Sequence, residues 1–389
     1  MANDGLSNAK RAKNDEFYTQ YQDIEKEVNS YLEFNPQVFA NKTIFLPCDD
    51  PEWSNFTKYF AQNFGKLGLK KLISTSYAPD SKIIKMLQQP TLFELEDPKY
   101  DDVKSNANGK LFKLDHDKTG DNKINVEDLE WEYLQGDGDF RSSEILKLWS
   151  DADIIITNPP FSLFREFLTW IQPTKKQFMI IGNMNAITYK EAFPLIMENK
   201  IWVGATNFNT GMYFRVPNDF VYADSYKFER ERNGEKVNRV PGVCWFTNLD
   251  HGRRHQPLPL MTMEENKKYS KHKEVKEIGY LKYDNYDAIE VPFTDAIPSD
   301  YPGIMGVPIS YLDKHSPEQF EIVGTSDNGL IEDKYKTTPG LSKQFVDDYY
   351  KAGGTGAYKE GNPTAGLYIN NVATMIYKRI FIKHRKHKK

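Results

Sequence analysis

The run Asp153-Ile154-Ile155-Ile156-Thr157, stopped at once by Asn158-Pro159-Pro160-Phe161, constrains the fold of this chain more than any other feature. Three successive β-branched residues read as a short strand buried on both faces, the kind found inside parallel sheets. The two prolines can continue neither a strand ladder nor a helix interior, so the chain must turn after Thr157. Ser162-Leu163-Phe164-Arg165-Glu166-Phe167-Leu168-Thr169-Trp170-Ile171 then sets apolar residues at helical spacing. After Pro173, Gln177-Phe178-Met179-Ile180-Ile181-Gly182 reads as the next strand, which completes a βαβ unit. Upstream, Lys42-Thr43-Ile44-Phe45-Leu46-Pro47 and Lys71-Leu72-Ile73-Ser74-Thr75 read as two further strands with a helix between them over 53–64. This alternation from residue 42 to 182 predicts an α/β fold built on a doubly wound, mainly parallel sheet.

In such sheets ligands bind outside the carboxyl ends of the strands, which is where Asn158 falls. An exocyclic amine on a nucleobase is a poor nucleophile because its lone pair is delocalised into the ring. The side-chain oxygen of Asn158 and the carbonyl of Pro159 can accept its two N–H groups and draw the nitrogen toward tetrahedral geometry. The lone pair is then available without a general base. Proline fixes φ and brings no competing N–H, and Phe161 offers a flat face for a base. Taken alone, the tetrapeptide reads more commonly as a strand-to-helix turn with a capping Asn, so its context must decide.

Four segments supply that context: Asn14-Asp15-Glu16-Phe17-Tyr18-Thr19, Leu46-Pro47-Cys48-Asp49-Asp50-Pro51-Glu52-Trp53-Ser54-Asn55-Phe56, Gly136-Asp137-Gly138-Asp139-Phe140-Arg141-Ser142, and the tetrapeptide with Ser162-Leu163-Phe164-Arg165. In this order they resemble the EcoRI-type adenine-specific DNA methyltransferases, and Gly306-Val307-Pro308-Ile309-Ser310-Tyr311-Leu312-Asp313 is similar to that family's C-terminal half. The resemblance implies a Rossmann-like methyltransferase domain, an S-adenosylmethionine cofactor, and methylation of adenine N6 in double-stranded DNA after base flipping. Asn158, Pro159, Pro160 and Phe161 would be catalytic. Phe17, Tyr18 and Thr19 would cradle the methionine end of the cofactor. Pro47, Cys48, Asp49 and Asp50 would form the cofactor loop, replacing the usual glycine-rich turn, and Asp137, Asp139 and Phe140 would meet the adenine ring. Each segment has a plainer reading: a capped helix start with core aromatics, a solvated acidic turn, and a tight Gly-Asp turn. No acid before Asp80 follows the second strand, which leaves the ribose ligand open.

Asp117-Lys118-Thr119-Gly120-Asp121-Asn122-Lys123-Ile124-Asn125-Val126-Glu127-Asp128 follows a calcium-loop spacing. Against it, Gly109-Lys110-Leu111-Phe112-Lys113-Leu114 looks like a strand rather than an entering helix, and Asp stands where a bidentate Glu belongs. A polar hairpin insertion is the favoured reading, and no metal site is expected. Cys48 and Cys244 form no CxxC pair, and the seven His show no ligand spacing, which gives a metal-dependent hydrolase no support.

No apolar stretch approaches the roughly 20 residues of a membrane span, so the expectation is a soluble protein with no membrane partner; the resemblance implies a cytoplasmic monomer, bacterial or phage-encoded. The net charge of −4 hides a basic end, Lys378-Arg379-Ile380-Phe381-Ile382-Lys383-His384-Arg385-Lys386-His387-Lys388-Lys389, and further cations at Arg253, Arg254, Lys267, Lys268, Lys271 and Lys273. With the tetrapeptide present, phosphate contact explains them better than a solubilising tail. Residues 201–209, 213–217 and 242–248 read as strands completing a catalytic domain over 1–250. Among them Phe208, Tyr213 and Phe214 are candidates for the second wall of a base pocket or for plain core. Residues 251–389, rich in Tyr and Pro with few clean periods, read as a C-terminal target-recognition lobe. The role is either restriction-modification, with a cognate restriction endonuclease acting on the same site, or orphan modification without one. The open alternatives are an RNA adenine or protein glutamine amino-methyltransferase, and a catalytically inactive nucleic-acid-binding homologue.

Overall fold

The computed structural model describes residues 18–49, 54–78, 97–215, 229–232, 235–326, 341–362 and 366–385. The chain divides into two compact units, Met1–Met184 with Val203–His251 and Asn185–Trp202 with Gly252–Lys389. Strands of the first are β1 (Tyr18–Thr19), β2 (Thr43–Leu46), β3 (Lys71–Thr75), β4 (Lys110–Leu114), β5 (Glu130–Tyr133), β6 (Ile154–Thr157), β7 (Gln177–Asn183), β8 (Trp202–Val203, across the division), β9 (Met212–Arg215), β10 (Glu229–Arg232), β11 (Glu235–Val240) and β12 (Val243–Thr247). Its helices are α1 (Tyr21–Phe34), α2 (Asn55–Gln62), α3 (Phe64–Leu67), α4 (Asp102–Ala107), α5 (Ser143–Asp151) and α6 (Phe164–Ile171).

The large sheet has the order β5-β4-β3-β2-β6-β7-β12-β8. Its four middle strands, β3-β2-β6-β7, pair in parallel, as the βαβ pattern predicts. Every residue of β2 and β6 is buried, which is why both are apolar runs rather than alternating ones. Antiparallel pairs flank this centre, because the loop after β4 folds back as a hairpin into β5 and β12 runs back along β7. β6 is aligned at its start by Asp153, whose N–H donates to the Thr43 carbonyl at 2.9 Å while its carboxylate accepts from the Thr43 N–H at 2.8 Å.

The helix predicted over 162–171 forms as α6 after one tight turn, Phe161–Leu163. Phe164, Phe167, Leu168 and Ile171 form its buried stripe, each contributing roughly 1.5–3 kcal/mol by leaving water. The strand expected over 201–209 does not extend past Val203. The N–H groups of Ala205 and Thr206 instead donate to the Glu27 carboxylate, each at 2.8 Å, which folds the chain into a turn. A second sheet, β1-β9-β11-β10, is antiparallel throughout.

The second unit carries α7 (Phe193–Met197), α8 (Met263–Tyr269), α9 (Lys273–Glu277), β13 (Ala288–Glu290), β14 (Ile304–Pro308), β15 (Phe320–Thr325), α10 (Lys343–Lys351), β16 (Leu367–Ile369), β17 (Val372–Thr374) and β18 (Arg379–His384). Its four-stranded sheet has the order β13-β14-β18-β15. The basic end is therefore not wholly a tail: Ile380, Phe381 and Ile382 are buried in an interior strand. Arg379 is 8% exposed and donates through Nε to both oxygens of Glu290, at 3.0 and 3.1 Å. Its charge is neutralised inside the fold. Arg254 is likewise buried, with its guanidinium 3.5 Å from the centre of the Trp202 ring and donating to Asn199 Oδ1 at 2.6 Å. Lys271 pairs with Asp295 and Lys273 with Glu277. No helix of the described residues is long and apolar enough to cross a membrane.

Candidate active site

The carboxyl ends of β2, β3 and β6 are joined by hydroxyl groups that terminate otherwise apolar strands. Pro47 is buried and Cys48 half-buried, and the chain then buries Asp49 to 4% exposure. Its Oδ1 accepts from Ser54 Oγ at 2.8 Å and its Oδ2 from Thr157 Oγ1 at 2.6 Å. Ser54 Oγ in turn accepts from the Phe56 N–H at 3.1 Å, capping α2. The Asp49 carbonyl accepts from Ser74 Oγ, and its N–H donates to the Thr75 carbonyl at 3.2 Å. Thr75 Oγ1 also donates to the Pro47 carbonyl at 3.1 Å. The acidic loop is thus tied into the sheet end, and the solvated turn is excluded for Asp49. Asp50 lies outside the described residues.

Asn158 follows Thr157 directly and is half-buried, as is Pro160, while Pro159 is buried. Phe161 is 6% exposed, its ring edge-on to Phe214 with centroids 6.2 Å apart. The helix beyond the tetrapeptide is seated on the sheet by Phe164, whose ring lies against Phe246 at 5.1 Å. A Cβ at residue 182 of β7 would come within 2.3 Å of that ring, so only glycine admits it. Of the aromatics proposed as a second wall, Phe208 and Phe214 are core residues at 1% and 0% exposure, and Tyr213 is half-buried.

Thr19, on β1, belongs to the same neighbourhood. Its carbonyl accepts from Asn55 Nδ2 at 2.8 Å, next to the Ser54 cap. Thr19 is 3% exposed, and its Oγ1 has no hydrogen-bond partner among the described residues. Phe17 lies outside the described residues, and of Tyr18 only the backbone is described, paired with Arg215.

The Gly-Asp turn docks on the chain leaving β3. Gly138 has φ +82°, and a Cβ there would stand 2.1 Å from the Ser76 carbonyl oxygen, so the close approach requires glycine. The Ala78 N–H donates to the Asp137 carbonyl at 2.7 Å, which fixes the turn at the same sheet edge. Asp137 Oδ1 accepts from the Asp139 N–H at 3.1 Å. Asp139 is held by Arg141, through Nε at 2.9 Å and Nη2 at 2.6 Å, and the same guanidinium lowers its pKa from the ordinary carboxylate value. Phe140 is 5% exposed, packed against Phe167 at 5.2 Å and Trp170 at 5.3 Å.

The loop with calcium-like spacing joins β4 to β5 and turns its carboxylates onto its own N–H groups. Asp117 accepts from Gly120 and Asn122 at 2.6 and 2.7 Å, and Asp128 accepts from Lys118, Thr119 and Asn125 at 3.0, 2.9 and 3.0 Å. Those backbone N–H groups hold the Asp128 pKa down to about 2. Among the described residues no group of three or more His, Cys, Asp or Glu has the geometry to hold a metal ion.

Sequence reasoning passed over Thr157, Ser54 and Ser74. The available signal was a hydroxyl at the end of a buried apolar run, as in Ile154-Ile155-Ile156-Thr157 and Leu72-Ile73-Ser74-Thr75, where a polar group needs a partner.

A family model described as adenine-specific methyltransferase EcoRI matches residues 5–385. The Type II methyltransferase M.EcoRI of Escherichia coli is 43% identical over 319 residues, covering 82% of this chain and 88% of that protein. M.MgeORF184P of Mycoplasma genitalium is 36% identical over 319 residues (82% and 85%), and M.MpnI of Mycoplasma pneumoniae 34% identical over 320 residues (82% and 84%). No solved structure matches the chain.

Proposed function

We propose, for a chain that belongs to the adenine-specific EcoRI methyltransferase family, that Asn158 and Pro159 orient a target adenine amine for methylation at the rim of the parallel sheet. The chain is a DNA adenine methyltransferase of the restriction-modification kind. The observation that carries the site assignment is the position of Asn158: half-buried, at the carboxyl end of a central strand, one residue beyond the Asp49–Thr157 hydrogen bond.

S-adenosylmethionine, when bound, supplies a methyl group activated by a sulfonium. The rest falls to the chain. Asn158 Oδ1 and the Pro159 carbonyl accept the two N6 hydrogens, so the nitrogen lone pair turns out of the ring plane. Asn158 and Pro159 would hold the amine in line with the methyl group that the bound cofactor would supply, and the amine's surplus proton would pass to water after transfer. Phe161 and the half-buried Tyr213 are the aromatic candidates for holding a flipped base.

The residues at this edge fit the cofactor in part. The buried, partnerless Thr19 hydroxyl is the kind of group a polar ligand completes, in keeping with a place at the methionine end. Asp137 is the better acceptor for the cofactor's adenine amine. Asp139 is bound by Arg141 and Phe140 by its aromatic neighbours.

The first unit is assigned to catalysis and the second to target recognition. Twenty-three Lys and Arg against 20 Asp and Glu give the second a formal charge of +3, and 28 against 35 leave the first at −7. Phosphate favours the former. A restriction endonuclease for the same site completes the proposed system, in a bacterial or phage-infected cytoplasm, with the methyltransferase acting as a monomer.

Incubation with methyl-labelled S-adenosylmethionine and unmethylated duplex DNA, RNA or protein, followed by digestion to nucleosides, tests the reading. Label in N6-methyladenine from DNA is the expected result. Label in RNA or in glutamine would overturn it.

A further inference from the structure

We propose that Asp49 and Thr157 act together as a positioning pair that sets the tetrapeptide. This rests on the reading of Asn158 and Pro159 as the amine clamp. β6 pairs with β2 only at Ile44–Ile154 and Phe45–Ile155, whereas on its other side it stays paired with β7 through Thr157–Ile180. The last turn of strand before Asn158 therefore has a ladder on one side only. The Asp49 carboxylate supplies the missing side, accepting from Thr157 Oγ1 at 2.6 Å.

That carboxylate is itself well fixed. Its other oxygen accepts from Ser54 Oγ, which at the same time accepts from the Phe56 N–H. The Asp49 main chain is fastened to β3 through Ser74 and Thr75. One buried side chain thereby references the tetrapeptide to β3 and to the start of α2. Both oxygens of Asp49 accept from hydroxyls within the protein, which lets its carboxylate hold the strand end before Asn158 in place. A clamp that reshapes an amine tolerates little displacement, and a shift of about 1 Å in a positioned group can cost on the order of 100-fold in rate.

Thr157→Val keeps the shape of the side chain and removes the hydroxyl. With full-length protein, labelled S-adenosylmethionine and unmethylated duplex DNA, its single-turnover rate should fall by about 100-fold, with cofactor affinity by calorimetry unchanged. Thr157→Ser, which keeps the donor, should restore most of the rate. Asp153→Ala loosens the start of the same strand and should lower the melting temperature without the rate loss. Should Thr157→Val fail to fold, Thr157→Cys fills similar space and donates only weakly. A full rate in either hydroxyl-free variant, with Asn158→Ala inactive, overturns the pair and leaves the clamp standing. Equal slowing in Thr157→Val and Asp153→Ala overturns it as general loosening. A full rate in Asn158→Ala overturns clamp and pair together.

Discussion

The two units bury a carboxylate each in opposite ways. Glu27 in the first is fully buried and accepts from neutral donors: Tyr31 Oη at 2.8 Å, the hydroxyl of Thr206, and the N–H groups of Ala205 and Thr206. Glu290 in the second is paired with the Arg379 guanidinium and with the Tyr283 hydroxyl. Neutral donors satisfy the Glu27 carboxyl without drawing a cation into the core of the acidic unit. An internal ion pair takes an arginine away from the surface of the basic unit, so the phosphate contact proposed for that unit draws on residues other than Arg379. Counting cations along the sequence does not separate these uses.

Removing either buried carboxylate should give the largest effects on stability. Glu290→Ala strands a buried guanidinium and should cost about 3–5 kcal/mol, read by denaturant unfolding, with cofactor binding by the first unit retained. Glu27→Ala should cost about 1–3 kcal/mol for each of the two buried N–H groups left without an acceptor, about 2–6 kcal/mol in all. A negligible loss in either variant would break the contrast between neutral and charged partners. Burial raises the Glu27 pKa above its ordinary 4.5, so stability from this group is full below 4.5 and is lost as pH rises through the folded value. Glu27→Gln should flatten that slope in melts across pH.

Smaller effects sharpen the comparison. Replacing Lys386, Lys388 and Lys389 with Gln should weaken DNA binding and reduce the slope of log affinity against log salt, by about 0.9 for each phosphate no longer neutralised. An unchanged slope would remove the end of the chain from the interface. The smallest expected effect is at Asp128, whose lowered pKa means its stabilisation is present above the ordinary 3.8 and lost as pH falls through about 2. Hydrogen exchange of the Thr119 and Asn125 amides should rise, relative to their intrinsic rates, over that window, and Asp128→Asn should abolish the pH dependence.

The parallel centre was legible because β2, β6 and β7 carry apolar runs and β3 the pair Leu72-Ile73, and Asn158-Pro159-Pro160 marked where β6 stops. What stayed hidden depends on partners far away in sequence. Glu27 captures two N–H groups at 205 and 206, which turns an apparent strand into a turn. Asp49 finds Thr157 across 108 positions, so an apparent solvated acid is a buried tie. Arg379 reads as part of a basic tail until Glu290 reaches it. Phe140, read from the sequence as a ring for the cofactor's adenine, also packs with Phe167 and Trp170, partners 27 and 30 positions away that the local motif does not announce.

The amide-and-carbonyl clamp is tested most directly by the single-turnover rate of N6-methyladenine formation in Asn158→Ala, beside cofactor affinity measured on the same protein. Unchanged affinity is expected, with the rate down by on the order of 100-fold or more, as when one preorganised hydrogen-bonding group is deleted from an active site. Asn158→Asp, which keeps an acceptor oxygen, should recover part of that rate. A wild-type rate in Asn158→Ala would contradict the account.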